Sequence, residues 1–365
     1  MKEFDKQNFF ILLGLSLIWF YFIYESQNLW ANIFISATAF ALYPFVTKVY
    51  EERSGFFSVL FFLSIPGAGI GANYSGRGAG LTLLLTVLFF AYLWQKYWCV
   101  YPLLALGGYF YGIWFIIFAL AVIFGHCLLL GRIQRLGEIH FIRGMLLVCV
   151  FLLPFNLEQV QNFNLALLPQ FFETVKLLPQ IKSPIQLNGV GMLAAAVILL
   201  LPWLFFFIRS IFASFADCRN EELENHTFMH LWWLLGIIGI FYLGKDFYPL
   251  IIAVFPPIAV LLGWNGQRME KNFNPLAEKL SHAPVADALT AFALLSFIWH
   301  YLGIWNGELV FESNLLAVLL LLIALIGVFI YYRFRDCLLF LLIQMVGGVV
   351  QIFCFYIYFY PVLSI

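Results

Sequence analysis

The feature that most limits what this chain can fold into is a succession of long apolar runs separated by short polar gaps. They fall at 9–24, 30–47, 56–70, 80–95, 101–111, 113–130, 144–155, 190–208, 229–243, 247–264, 288–305, 315–332 and 337–363. A hydrocarbon core about 30 Å thick takes roughly 20 apolar residues per helical crossing. Lipid offers the backbone no hydrogen-bond partners, so such runs cross as helices. Hydrophobic residues make up 64% of the chain and charged ones only 10%, with a mean hydropathy of +0.94. No gap is long and polar enough to fold in water. The expectation is an all-α, polytopic transmembrane bundle of about thirteen apolar segments, forming a single domain over residues 1–365 with no soluble domain.

The same composition excludes several classes. Net charge is zero, and the 19 basic residues are scattered through the gaps without the basic face that nucleic acid needs. The six cysteines (Cys99, Cys127, Cys149, Cys218, Cys337, Cys354) show no metal-type spacing and read as small core hydrophobes. No cofactor or metal is expected. The N-terminal run resembles a secretory signal, but Glu25, Ser26 and Gln27 follow it at once, and an uncleaved anchor is the expectation.

Lys and Arg accumulate on the cytoplasmic side of membrane helices. With the N-terminus inside, fifteen of the 19 basic residues fall in inner loops, and only Arg77, Lys176, Lys182 and Lys245 fall outside. This pattern needs 101–111 and 113–130 to be separate spans, and Gly107, Gly108 and Gly112 favour a break there. Arg77 sits in a glycine-rich stretch, 71–80, read as a loop whose amides approach an anion. Lys176 and Lys182 belong to a segment, 168–187, read as lying along the membrane surface. Lys245 is held between two runs by the Tyr248-Pro249 turn. Together these cations suit a lipid phosphate or diphosphate between helices. The plainer reading is that each one snorkels to headgroups.

The stretch from Leu199-Leu200-Leu201-Pro202-Trp203 through Gly244-Lys245-Asp246-Phe247-Tyr248-Pro249 to Phe255-Pro256-Pro257-Ile258-Ala259 resembles the GT-C class of membrane glycosyltransferases. That class includes the protein O-mannosyltransferases and the bacterial transferases that add aminoarabinose to lipid A. The likeness extends upstream through the turn at Lys48 to Gly55 and the run ending at Pro66, and through Arg143 to Pro154. The Lys245 segment is the part most specific to the class, and Lys245 and Tyr248 within it, with Arg77 from the outer cations, are the candidates for binding the substrate's phosphate. Asp5-Lys6-Gln7-Asn8 is similar to a segment whose lysine contacts the carrier phosphate, which puts Lys6 outside with 9–24 at the membrane surface. Charge bias puts Lys6 inside with that run spanning, and both placements stay open.

The chain also departs from the class. The class carries an acid after its first span; if Lys6 matches, that acid precedes this sequence. A class aspartate falls near Gly78 and a class lysine near Ile113.

Sugar transfer from a polyprenyl phosphate needs cations on the departing phosphate and a carboxylate for the acceptor's proton. Lys245 and Arg77 supply the first. For the second, Glu25 and Asp246 are the candidates, with Asp246 also placed to pair with Lys245. His300 reads as an interfacial hydrogen-bonding side chain rather than a base.

The reading is a transferase that moves sugar from a polyprenyl-phosphate donor to a lipid, glycan or protein on the non-cytoplasmic face of a bacterial inner membrane. The alternative is an inactive relative that binds a lipid carrier or supports a partner membrane protein. A transporter ranks last, because the spans carry almost no internal charge and show no repeat.

Overall fold

A computed structural model describes residues 29–74, 76–138, 140–152, 196–216, 220–243, 250–272, 283–306, 310–334 and 337–354. Helix succeeds helix throughout these residues. In chain order they are α1 Leu29–Val49, α2 Glu52–Ser64, α3 Pro66–Tyr74, α4 Gly76–Leu93, α5 Tyr97–Tyr111, α6 Ile113–Leu129, α7 Arg135–Glu138, α8 Phe141–Leu152, α9 Leu204–Ala216, α10 Asn220–Leu243, α11 Leu250–Ala253, α12 Phe255–Asn272, α13 Ala283–Asn306, α14 Val310–Phe334 and α15 Cys337–Cys354. Among them, α1 and α14 are each long and apolar enough to cross a bilayer unaided.

Several other crossings are assembled from pieces. Pro66 lacks an N–H and disfavours helical geometry at the preceding residue. Ile65 accordingly turns extended (φ −72°, ψ 114°), ending α2 and starting α3. The 13 and 9 residues of the two pieces together reach about 33 Å at 1.5 Å per residue. Helix α12 runs antiparallel to this pair. Its register is fixed by Gln267 on Ser54, Gly263 on Ser58 and Phe255 against Gly67. Val254 interrupts α11 and α12 just where Ile65 interrupts α2 and α3. The expected span 190–208 is also broken: helix at 196–200 stops, residues 201–203 turn through Pro202, and α9 begins at Leu204.

These breaks meet. Trp203, in the third break, donates its indole N–H to the Ser64 carbonyl at 3.4 Å, beside the break at Ile65. Gly348 of α15 lies on the same carbonyl; a Cβ there would overlap the oxygen and come 3.1 Å from the carbonyl carbon. Such small-residue approaches, with aromatic packing, hold membrane helices together where no water drives them. Phe45 and Phe90 stack at 3.5 Å between α1 and α4, Phe61 meets Trp203 edge-on at 4.7 Å, and Phe89 meets Trp232 at 4.7 Å. The outward faces are apolar as well. On α14, Phe311, Val318, Leu322, Leu325 and Phe329 are all exposed, the pattern of a lipid-facing helix.

Two further expectations change. The glycine-rich stretch 71–80 is not a loop: its glycines lie within α3 and α4, which leave only Ser75 between them. Cys149 is exposed rather than core, whereas Cys127 is buried as expected. The break between 101–111 and 113–130 is where the glycines put it. Gly112 adopts φ +81°, a left-handed conformation that a side chain resists.

Candidate functional site

Helix ends that the charge bias assigns to the inner side do meet, through a lattice of polar contacts. The Lys48 ammonium lies 4.6 Å over the Trp94 ring. Tyr43 donates to Glu52 at 3.1 Å, and Gln267 joins both Glu51 and Ser54. Arg209 grips Asp287 through Nε at 2.8 Å and Nη2 at 2.6 Å.

Two histidines in this lattice have tautomers fixed by their neighbours. The backbone carbonyl of Glu224 can only accept, so His126 donates from Nε2 at 3.0 Å. Its Nδ1 then accepts a hydrogen bond from the Tyr92 hydroxyl at 2.9 Å, and the Cys127 thiol lies 3.4 Å from that oxygen. In the same way the Trp233 indole donates to Nδ1 of His230 at 3.0 Å, so Nε2 donates to Ser214 at 2.7 Å. Ser214 in turn donates to the Ile211 carbonyl at 2.7 Å. Each chain of bonds ends satisfied, which is the arrangement of a brace. Among the described residues no group of three or more His, Cys, Asp or Glu is placed to hold a metal.

The strongest charge cluster joins α6, α7 and α10. Arg132 donates to Glu224 at 2.7 Å, and Arg135 binds the other carboxylate oxygen. Glu224 precedes the apolar part of α10, outside the spanning stretch. Burial works to raise its carboxyl, but the hydrogen bond and charge of Arg135, with the charge of Arg132, hold it below the usual carboxylate range. Burial works in the opposite sense on Arg135, whose guanidinium is nevertheless held more firmly charged by Glu224. An open depression of about 540 Å³ beside this cluster is lined by Arg132, Gln134, Arg135 and Glu138. It lies at the far end of α6 from Gly112.

Of the sequence-derived candidates, Arg77 alone has a described backbone. Arg77 is the second residue of α4, so its backbone is placed at that helix's N-terminus. Lys245, Asp246 and Tyr248 fall at 244–249, outside the described residues, as do Lys6 and Glu25. What flanks the Lys245 segment is described. Helix α10 ends at Leu243, and the chain resumes as α11, which packs on α4, the Arg77 helix, and on α3. One turn from Arg77, Gly80 makes room for two aromatic side chains. A Cβ there would overlap the Tyr111 hydroxyl and come 3.2 Å from Phe34 of α1. Tyr111 was not singled out in the sequence; its position at the end of α5, before a left-handed glycine, is the signal that was there. His300 is exposed and hydrogen-bonded to Asn314 at 2.6 Å.

Among the described residues, the interrupted helices and close glycine crossings are those of a polytopic membrane protein of the GT-C fold. Among solved structures the chain is similar to ArnT from Cupriavidus metallidurans bound to undecaprenyl phosphate. The TM-score is 0.68 at 14% identity over 90% of this chain. The apo form of the same protein gives a TM-score of 0.69 at 14% identity, again over 90% of this chain. The chain spans about three fifths of the length of these relatives, covering 62% and 61% of them. No protein-family model and no curated protein matches.

Proposed function

We propose that this chain binds a polyprenyl phosphate at the outer end of its bundle and transfers a sugar from it to a lipid, glycan or protein acceptor. One observation carries the reading: the chain that follows Lys245 resumes as α11 against α4, the helix whose second residue is Arg77. The fold shared with ArnT, whose solved complex holds undecaprenyl phosphate, supports it.

In that reaction the bond between the anomeric carbon and the phosphate oxygen breaks as the acceptor hydroxyl attacks. Charge develops on the departing phosphate, and cations fixed in advance lower the barrier most where water is excluded. Lys245 and Arg77 take this role, with Tyr248 as a neutral donor and Lys6 as a further cation. Glu25 or Asp246 takes the acceptor's proton. The setting is a bacterial inner membrane, with the site facing away from the cytoplasm.

A second reading has its own observation. Gly78, buried in the first turn of α4, stands where the GT-C resemblance expects an aspartate. On this reading the chain holds a carrier lipid, or supports a partner membrane protein, without transferring sugar. Mass spectrometry of glycolipids from cells carrying Lys245→Ala at normal expression separates the two. A missing modified species supports the transferase; an unchanged profile, with carrier binding lost, supports the second reading.

A further inference from the structure

We infer that the depression beside Glu224 takes a zwitterionic phospholipid headgroup, with Arg132 and Arg135 on its phosphodiester and Glu138 on its ammonium. The apolar run of α6 ends at Leu129, and the chain turns charged at Arg132, a change that marks headgroup depth in a bilayer. Leu128, Leu129 and Ile133 are all exposed, and Ile133 lines the depression itself, so an acyl chain has an apolar wall to follow. The volume, about 540 Å³, lies within the roughly 300–1,000 Å³ of ligand clefts. The turn that carries the charges is fixed by its own backbone. Gly131 stands at φ +65° with its N–H on the Leu128 carbonyl at 3.0 Å, and the Arg132 N–H reaches the Cys127 carbonyl at 2.9 Å. Those two bonds close the end of α6. The Arg135 N–H then meets the Arg132 carbonyl at 3.0 Å, and the Gly137 N–H meets that of Gln134 at 2.9 Å.

Glu224 sets both guanidiniums in advance, so little ordering is needed when a headgroup arrives. One carboxylate oxygen receives Nη1 of Arg132 at 2.7 Å, and the other receives Nη1 of Arg135. A guanidinium carries five N–H donors in a planar fork that matches phosphate oxygens, and each of these contacts engages one nitrogen. The Arg135 side chain, 13% exposed, is folded onto Glu224 instead of reaching for water as a snorkelling arginine does. Arg132, at 59%, opens to the surroundings. Charge decides the class of ligand. Among the described residues at the depression, two guanidiniums stand with two carboxylates, Glu138 and Glu224. A balanced set suits a headgroup that carries both signs, whereas a purely anionic one brings no cation to Glu138.

The test uses the full chain in detergent, with phosphatidylethanolamine and phosphatidylglycerol of matched acyl chains titrated separately and bound lipid counted by native mass spectrometry. The parent is expected to hold phosphatidylethanolamine about tenfold more tightly, the worth of one hydrogen bond between charged groups. Glu138→Gln, which breaks no ion pair among the described residues, should bring phosphatidylethanolamine down to the level of phosphatidylglycerol. Arg132→Gln should weaken both lipids about tenfold. Equal binding of the two lipids by the parent, or a preference that survives Glu138→Gln, would overturn the inference, as would an Arg132→Gln variant that binds like the parent. Glycerophosphoethanolamine, the same headgroup without tails, separates a lipid from a water-borne phosphodiester. If it binds as tightly as the lipid, the site belongs to a soluble ligand and the lipid assignment fails.

Discussion

The indole nitrogen of Trp203 donates to the carbonyl oxygen of Ser64 at 3.4 Å, so one interrupted helix closes the interruption in another. Pro66 is the cause: its start of a new helix releases the carbonyls at the end of α2 from their usual partners.

Trp203→Phe keeps an aromatic edge toward Phe61 but removes the donor. The expected loss is about 1 kcal/mol, the usual net value of a hydrogen bond. Trp203→Ala also removes the ring and is expected to cost about 3–5 kcal/mol. Thermal unfolding of the full chain in detergent reads both, and a Phe variant as stable as the parent would deny the indole any part in closing the break.

Gly348 and Gly137 should answer an alanine scan in opposite directions. A Cβ on Gly348 overlaps the Ser64 carbonyl, and forced overpacking of this kind costs about 1–3 kcal/mol. At Gly137 nothing lies within 4 Å, so alanine there is expected to stabilise by roughly 0.5–1 kcal/mol through helix preference alone. Unfolding midpoints of the two variants make the comparison.

Glu224 makes stability depend on acidity. Its folded carboxyl titrates below the ordinary 4.5, so its contribution is complete above about pH 4.5 and is lost as the pH falls through the lower folded value. Glu224→Gln is expected to lose about 2 kcal/mol near neutrality, the scale of charge-assisted hydrogen bonds. The gap between the two proteins should close in acid; a gap independent of pH would mean the carboxylate's charge contributes nothing.

Outer and inner cations should separate in function. Lys245→Ala and Arg77→Ala are each expected to slow sugar transfer on the order of a hundredfold, as loss of one transition-state donor does. Lys48→Ala, which removes the ammonium over Trp94 at the inner end, should leave transfer unchanged. Initial rates with a polyprenyl-phosphate sugar donor measure all three.

The helices could be read from the sequence largely because apolar length and glycine or proline breaks act locally. The separation at Gly112 and the ends of α1 follow from that, whereas α14 begins at Val310, five residues before its apolar run. What misled was glycine density near Arg77: 71–80 reads as a loop, but in a packed bundle the missing side chains serve close approach, and the backbone stays helical. Pro202 was visible inside 190–208 without revealing that it splits the run. The braces stayed hidden for another reason. Glu224 meets arginines 92 and 89 positions away, and Gln267 meets Glu51 across 216, separations at which no periodicity carries information. Lys6, Glu25, Lys245, Asp246 and Tyr248 lie outside the described residues, so their roles rest on residue chemistry and on the resemblance.

The pairing of Ser64 with Trp203 also sets an order on how the protein is made. The two are 139 positions apart, and a ribosome adds about 5–20 residues per second, so Ser64 emerges on the order of ten seconds before its cap is synthesised. During that interval the Ser64 carbonyl has no Trp203 indole to close it. A chain arrested before Trp203 lacks the indole that closes the Ile65 break, and one arrested before Gly348 lacks the helix that packs over the same carbonyl.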